Sequence, residues 1–516
     1  MATRKRKFNV AEVRKQLEAS DSDTASSSSE SSSEEDEAED SNASDDSAAD
    51  DRSVDYSTSA GNWQRANKEN AHIYGFLAKP GISVNTGEFE AIDFYRLFLT
   101  DDLLSTFVTE TNRYAGQLRQ QPLPPHSRLH KWEDTNMEEM KIFCGLLFLM
   151  LINRKPEIAL YWSEDSLLHT PVFPAVMARD RFLLLLRCWH FVNNDLALHR
   201  TDENYDRLFK LRPLIESLSK TFESVYTPDI NLSLDEALVL WKGRLVFRQY
   251  IPLKRARSGT KLFCLCENTG YTYRFRVYTG KDNPMQAIYR DVPDDAKHLS
   301  KTETIVVHLM KPLLDNGYQL YTDNYYTSVN LCSYLDAHMT GCCGTVRANR
   351  VPAAAKNHRL DKGGSVGFRK DNLLCIKFKD KRDVFMLSNM HTEETSRQRV
   401  CGRHEVFVDR PVAICDYDRL MGGVDKVDQL IAPYDATRKT VKWYKKLAVH
   451  LLQVAMVNAF ILYKKSHSRA RFLRFQKDVI SSLVFEVAQP DTTKSEELAR
   501  LTERHFLSHT PETAKI

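Results

Sequence analysis

The hydrophobic period of this chain changes near Ile230, and that change limits what it can fold into. From Phe89 to about Phe222 apolar residues recur at helical spacing, through Ile142–Ile152 (IFCGLLFLMLI), Phe182–Leu186 and Trp189–Val192. From Ile230 the order Ile-Asn-Leu-Ser-Leu-Asp alternates apolar and polar, the two-residue period of a strand. Lys261–Cys266 and Tyr271–Tyr278 flank Glu267-Asn268-Thr269-Gly270, a turn sequence between two strands. Thr304–Leu314 then reads as a helix stopped by Asn316-Gly317, Tyr318–Thr322 as a short strand, and Val329–His338 as another helix. A helical block followed by strand, hairpin, helix, strand and helix specifies a mixed α/β sheet with helices packed on it.

The flanks read differently. Ser20 to Ser59 is mostly Ser, Asp, Glu and Ala, too poor in large apolar side chains to offset the entropy of ordering, so disorder is expected. Residues 1–60 carry 7 basic and 16 acidic residues, a net −9, so the +3 of the whole chain leaves +12 on the body. A basic body suits a polyanionic partner. Arg4-Lys5-Arg6-Lys7 fits a nuclear import signal, a phosphate-contacting arm or a solvated terminus equally well. The start of the chain is charged, so no secretory signal is expected. Ile142–Ile152 is too short to span a bilayer and reads as a buried helix, with a capping box expected from Thr135 to Glu138. The ten cysteines lack zinc-knuckle spacing and are expected to be buried free thiols. Residues 346–404, with Gly363-Gly364 and the short strands Leu374–Phe378 and Val384–Leu387, look inserted. Val406–Val408 resumes the strand pattern, and Val441–Tyr463 is a long apolar helix.

Three acids stand out by placement. Asp235 closes a strand and precedes Glu236, Asp323 closes another, and Asp425 and Asp428 lie three apart in Gly422-Gly423-Val424-Asp425-Lys426-Val427-Asp428-Gln429, on one face if that segment is helical. Carboxylates gathered at neighbouring strand ends repel unless a hard divalent cation lies between them, and two such ions can serve both the attacking and the leaving oxygen of a phosphodiester. Taken singly, each Asp is more often a turn or cap residue than a ligand. The separations of 88 and 102 residues form no local motif.

Several segments, in order, resemble piggyBac-type DNA transposases. They are Pro80-Gly81-Ile82, Thr109-Glu110-Thr111-Asn112-Arg113-Tyr114-Ala115, Ser233-Leu234-Asp235-Glu236 with Trp241-Lys242-Gly243-Arg244, and Pro252-Leu253-Lys254 leading to Gly259-Thr260-Lys261. Tyr321-Thr322-Asp323-Asn324-Tyr325-Tyr326-Thr327-Ser328, the Asp425 segment, and Arg438-Lys439-Thr440 before Trp443 complete the set, which runs from about residue 75 to 505. The resemblance implies an α/β fold. Its ribonuclease H-like core spans 230–345 and 405–431 and is interrupted by an insertion domain, 346–404. A mostly helical dimerisation and DNA-binding domain spans 63–229 and 432–505, between a disordered tail, 1–62, and a C-terminal tail, 506–516. It implies metal ligation by Asp235, Asp323 and Asp425, with Asp428 as a fourth acid. It also implies Mg2+ or Mn2+ as cofactor, excision through a hairpin intermediate, insertion at TTAA sites, a homodimer and a nuclear location. Double-stranded DNA, as transposon ends and targets, is the implied partner, and no membrane is. Members usually carry a C-terminal cysteine-rich zinc module. No cysteine follows Cys415 here, so no zinc site is expected within this chain.

Basic residues near these motifs are candidates for DNA contact: Lys254, Arg257 and Lys261, then Arg347 and Arg350, then Arg438, Lys439 and Lys442. Such groups suit backbone phosphates, which give affinity more than sequence choice, and a solvated helix face explains any one of them as well. Two readings follow: a metal-dependent transposase or its derivative, and a domesticated, catalytically silent DNA-binding or chromatin-associated protein.

Overall fold

The helical block is built from α1 (Ala91–Arg96), α2 (Asp101–Gln120), α3 (Met137–Ile152), α4 (Arg179–Cys188) and α5 (Arg212–Val225). In this computed structural model the described residues are 63–66, 72–252, 254–280, 293–400, 406–434 and 442–485. The acidic tail expected over 1–62, the Arg4–Lys7 group within it, Arg438, Lys439 and the end from 486 lie outside them. Helix α3 is apolar on nearly every side and is correspondingly buried, from Met140 to Leu151. Helix α5 is one-sided and buries Leu214, Ile215, Leu218, Phe222 and Val225. The cap of α3 falls one residue later than the sequence predicted. Asn136 is the N-cap and accepts from the Glu139 N–H at 2.9 Å. Thr135 is occupied elsewhere: its N–H donates to Asn112 Oδ1 at 2.8 Å and its hydroxyl to Glu139 Oε2 at 2.6 Å.

The period change near Ile230 begins the sheet. Strand β1 (Asn231–Leu240) leads through β2 (Gln249–Tyr250) and β3 (Ser258–Glu267) into β4 (Thr272–Val277). Helix α6 (Lys301–Met310), β5 (Gln319–Thr322), α7 (Val329–Ala337) and β6 (Gly341–Thr345) follow. Strands β1, β3 and β4 pair antiparallel, whereas β5 pairs parallel with β1 and β6 parallel with β5. The spatial order β4-β3-β1-β5-β6 is therefore the ribonuclease H-like one, antiparallel on one side of β1 and parallel on the other. The parallel joins need crossovers, and α6 and α7 supply them.

The segment 346–404 adds to this sheet. Strands β7 (Ser365–Lys370), β8 (Leu373–Lys379) and β9 (Asp383–Ser388) form a meander whose last member pairs with β6. Gln64–Arg65 closes the far edge, giving ten strands among the described residues. Strands β10 (Thr395–Val400) and β11 (Val406–Pro411) form a separate hairpin that delivers the chain to α8 (Val412–Leu420) and α9 (Gly423–Ile431).

Helix α10 (Trp443–Ser466) then runs back through the helical block, and α11 (Phe472–Phe485) packs against α3. By length and composition α10 is able to cross a membrane, but most of its surface is buried within the protein. Asn458, fully buried on α10, fastens the start of β4. Its Oδ1 accepts from the Thr272 N–H at 2.8 Å and its Nδ2 donates to the Thr272 carbonyl at 2.9 Å. The helical block and the sheet thus share one core cluster of buried side chains.

Candidate active site

Asp235 and Asp323 meet because of register. In the parallel pairing Leu234 of β1 lies opposite Thr322 of β5, so the next residue on each strand is one of the two acids. Alternation along β1 sends Ser233 and Asp235 to the face covered by α9, and Glu236 to the other. The Gly423 N–H donates to Ser233 Oγ at 3.2 Å, which seats α9 on β1. A Cβ at Gly423 would lie 2.4 Å from that oxygen and 2.8 Å from the Glu267 carbonyl, so only glycine allows this approach. Lys426 ties α9 to the hairpin turn, donating to the Asn268 carbonyl at 2.6 Å and to its Oδ1 at 2.8 Å. Asp425 stands exposed in the first turn of α9. Asp428, one turn on and half-buried, lines a small apolar cavity with Cys264, Cys266 and His450.

Asp323 opens a tight turn. Its Oδ1 accepts from the Tyr325 N–H at 3.0 Å, and its carbonyl accepts from the Thr327 N–H at 3.1 Å and the Thr327 hydroxyl at 2.7 Å. In both carboxyls burial outweighs the nearby lysines. Burial pushes Asp235 up to about 7, even though the Lys254 ammonium lies 2.9 Å from its Oδ2 and pulls the other way. Burial, reinforced by the charge of Glu236, pushes Asp323 up to about 6. Lys254 lies in the field of Asp235 first, and of Glu236 and Asp425 as well.

Glu236 behaves differently from its neighbour. Burial opposes its charge, but Lys261 at 3.1 Å and the Tyr326 hydroxyl at 2.6 Å outweigh that and hold the carboxyl below its ordinary range. Lys261 is held in turn over the rings of Phe263 and Tyr325, 4.7 and 4.6 Å from their centroids. The sequence carried a signal of this network. Glu236 occupies an inward position of an alternating strand, and a charge there needs a partner.

The donor chemistry suits a hard divalent cation: two half-buried carboxylates at neighbouring positions, one of them paired with Lys254, and a third on the helix laid over β1. Among the described residues no three His, Cys, Asp or Glu side chains are gathered closely enough to hold an ion. The cation beside Asp235 is Lys254 itself.

The other basic candidates divide. Arg257 is exposed, at a positive φ of 52° in the loop after β2. Arg347 is half-buried, as is Lys442 at the start of α10. Lys261 and Arg350 turn inward, at 9% and 6% exposure. The Arg350 guanidinium donates to the carbonyls of Tyr325 and Thr327, at 3.1 and 3.3 Å, bracing the turn that carries Asp323. Lys445, on α10 three residues after Lys442, is buried and caps α4 through the carbonyls of Leu186 and Arg187, at 2.7 and 2.8 Å. Burial lowers its ammonium to about 7. Trp443 packs edge-on against Phe247 at 5.4 Å. The nine described cysteines are free, and eight are buried.

Residues 90–460 match the family described as Transposase IS4. The chain belongs to that family, in its piggyBac branch. It is 26% identical over 439 residues to the human (Homo sapiens) PiggyBac transposable element-derived protein 3, covering 81% of this chain and 69% of that protein. It is 25% identical over 436 residues to the human PiggyBac transposable element-derived protein 2, covering 81% and 68%. A solved piggyBac transposase, in a synaptic complex with hairpin DNA, has the same fold. The TM-score is 0.68 at 24% identity, over 85% of this chain and 90% of that one. Within this piggyBac-type fold Asp235 lies on β1, Asp323 just past the end of the neighbouring β5, and Asp425 on α9, which packs on β1.

Proposed function

We propose that this chain is a transposase, or a protein derived from one, that cleaves double-stranded DNA and transfers strands through Asp235, Asp323 and Asp425. The observation that carries the reading is the register pairing that puts Asp235 and Asp323 side by side, both pushed up by burial, on the face α9 covers. These three side chains would hold Mg2+ or Mn2+, with Asp428 one turn behind Asp425. When bound, a divalent ion lowers the cost of charge on the attacking and leaving oxygens of a phosphodiester. The protein's own part is orientation. Glu236, Lys261 and Tyr326 fix β1 against the Asp323 turn, and Arg350 braces that turn from behind. Arg257, exposed beside Lys254, suits a DNA phosphate. Arg347, Arg438, Lys439 and Lys442 remain proposed phosphate contacts. The reading extends to a hairpin intermediate, TTAA targets, a homodimer and a nuclear location, which the family resemblance suggests.

The test is nicking of a transposon-end duplex by Asp235→Asn. Loss of nicking with DNA affinity retained supports the assignment, and nicking at the wild-type rate sinks it. A second reading, a DNA-binding protein with no reaction, is favoured by Lys254 filling the position beside Asp235 and by the lack, among the described residues, of a gathered three-acid set. It predicts that the wild-type protein binds DNA with steep salt dependence yet never nicks it, in Mg2+ or in Mn2+.

A further inference from the structure

Both oxygens of Asp235 are engaged within the protein. Oδ1 accepts from the Glu236 N–H at 2.7 Å, and Oδ2 takes the Lys254 ammonium at 2.9 Å. Asp323 differs: its Oδ1 accepts from Tyr325, and among the described residues no protein donor is recorded at its Oδ2. A cation shared between the two acids therefore finds an open oxygen on Asp323, whereas on Asp235 it meets the Lys254 ammonium at Oδ2.

The two lysines that serve the paired acids of β1 are held unequally. Lys261 lies within β3, opposite Leu238, with aromatic rings on two sides and its pair with Glu236 only 11% exposed at each side chain. Lys254 comes from the loop between β2 and β3, with its side chain 23% exposed. That loop is closed by main-chain bonds from Ile251 N–H to the Arg257 carbonyl at 2.8 Å and from Arg257 N–H to the Lys254 carbonyl at 3.0 Å. The fold thus fixes the backbone of Lys254 while leaving its long side chain able to withdraw, which Lys261 is not.

We infer that Lys254 is the resident cation of the metal-free site, a positioning residue that holds the Asp235 carboxylate in place and yields Oδ2 when a divalent ion enters. The inference rests on the reading of Asp235 and Asp323 as metal ligands. It makes Lys254 a competitor of the metal, because an ammonium and a divalent ion a few ångströms apart repel and share one ligand oxygen.

The test is direct Mn2+ binding by the full chain without DNA at pH 8, followed by the EPR signal of free Mn2+. The wild type is compared with Lys254→Gln, Lys254→Arg and Asp235→Asn, each first shown to melt cooperatively. Lys254→Gln should bind Mn2+ about tenfold more tightly or better, since a nearby positive charge is gone. Lys254→Arg should stay near the wild type, and Asp235→Asn should lose the site. Unchanged or weaker binding by Lys254→Gln, with Asp235→Asn still losing the site, overturns the role of Lys254 alone. Tightening by Lys254→Arg equal to that by Lys254→Gln also overturns it, because the effect would then not follow charge. If none of the four proteins binds Mn2+, the acids are not ligands, and both this inference and the reading beneath it fall.

Discussion

Asp323 stands one residue past Thr322 as Asp235 stands one residue past Leu234, and Thr322 and Leu234 are register partners in the parallel pair β1/β5. On the proposed reading, two acids placed in this way serve one centre. Asp235→Asn and Asp323→Asn should each reduce nicking to the same floor, and the double variant should be no slower than either single one. Single-turnover nicking of an end duplex measures this. Independent, multiplying losses would separate the two residues.

Stability of the metal-free protein should depend on pH through Asp323. Its carboxyl is pushed from the ordinary range near 3.8 up to about 6, chiefly by burial. A raised pKa means the folded state binds the proton more tightly, so this contribution is full below about pH 4 and lost as pH rises through 6. Thermal melts in EDTA from pH 4 to 8 should therefore show a decline that is shallower in Asp323→Asn. Adding Mn2+ at pH 8 should raise the wild-type midpoint and leave that variant less affected. Parallel pH profiles for the two proteins would contradict this account.

The Glu236–Lys261 pair is buried, and removing one partner leaves the other charge uncompensated. Lys261→Met should cost about 3–5 kcal/mol in urea unfolding. Replacing both, as Lys261→Met with Glu236→Leu, should recover much of that loss, because the desolvation of two charges is also removed. The double variant keeps the fold but loses the bond from Tyr326 that links β1 to the Asp323 turn. Its nicking should fall while its DNA affinity holds. A double variant as unstable as Lys261→Met would contradict the pairing argument.

Asn458 joins α10 to β4 by two hydrogen bonds in a fully buried position. Asn458→Ala leaves the Thr272 N–H and carbonyl without those partners and should destabilise the chain by about 2–4 kcal/mol. Asn458→Asp should be at least as damaging, since it removes the donor and buries a carboxyl. Hydrogen exchange should show faster exchange of β4 amides in both. Protection of β4 equal to that of the wild type would mean that the strand is held by β3 alone.

The sequence by itself determined the order of elements. The period change at Ile230, the Glu267–Gly270 turn and the apolar run of α10 are local signals, and each is found where the chain shows them. It also marked Asp323 as a strand-end acid, whereas Asp235, expected to close its strand, lies in the middle of β1, which pairs with β3 on to Leu240. Local signals were less complete where partners lie far apart in the chain. Thr135 and Asn136 compete for one cap, and the choice follows from Asn112, more than twenty residues away. Lys261 and Arg350 look like surface cations in sequence. They are internal because Glu236 and the carbonyls of the Asp323 turn lie next to them only after β1, β3 and β5 have paired. The same holds for Asp235. Its neighbour Glu236 fixes one oxygen through the backbone, but the ammonium on the other arrives from a loop nineteen residues on. Composition and period act along the chain, whereas burial and charge pairing act through space, and the tertiary fold alone decides which cation meets which acid.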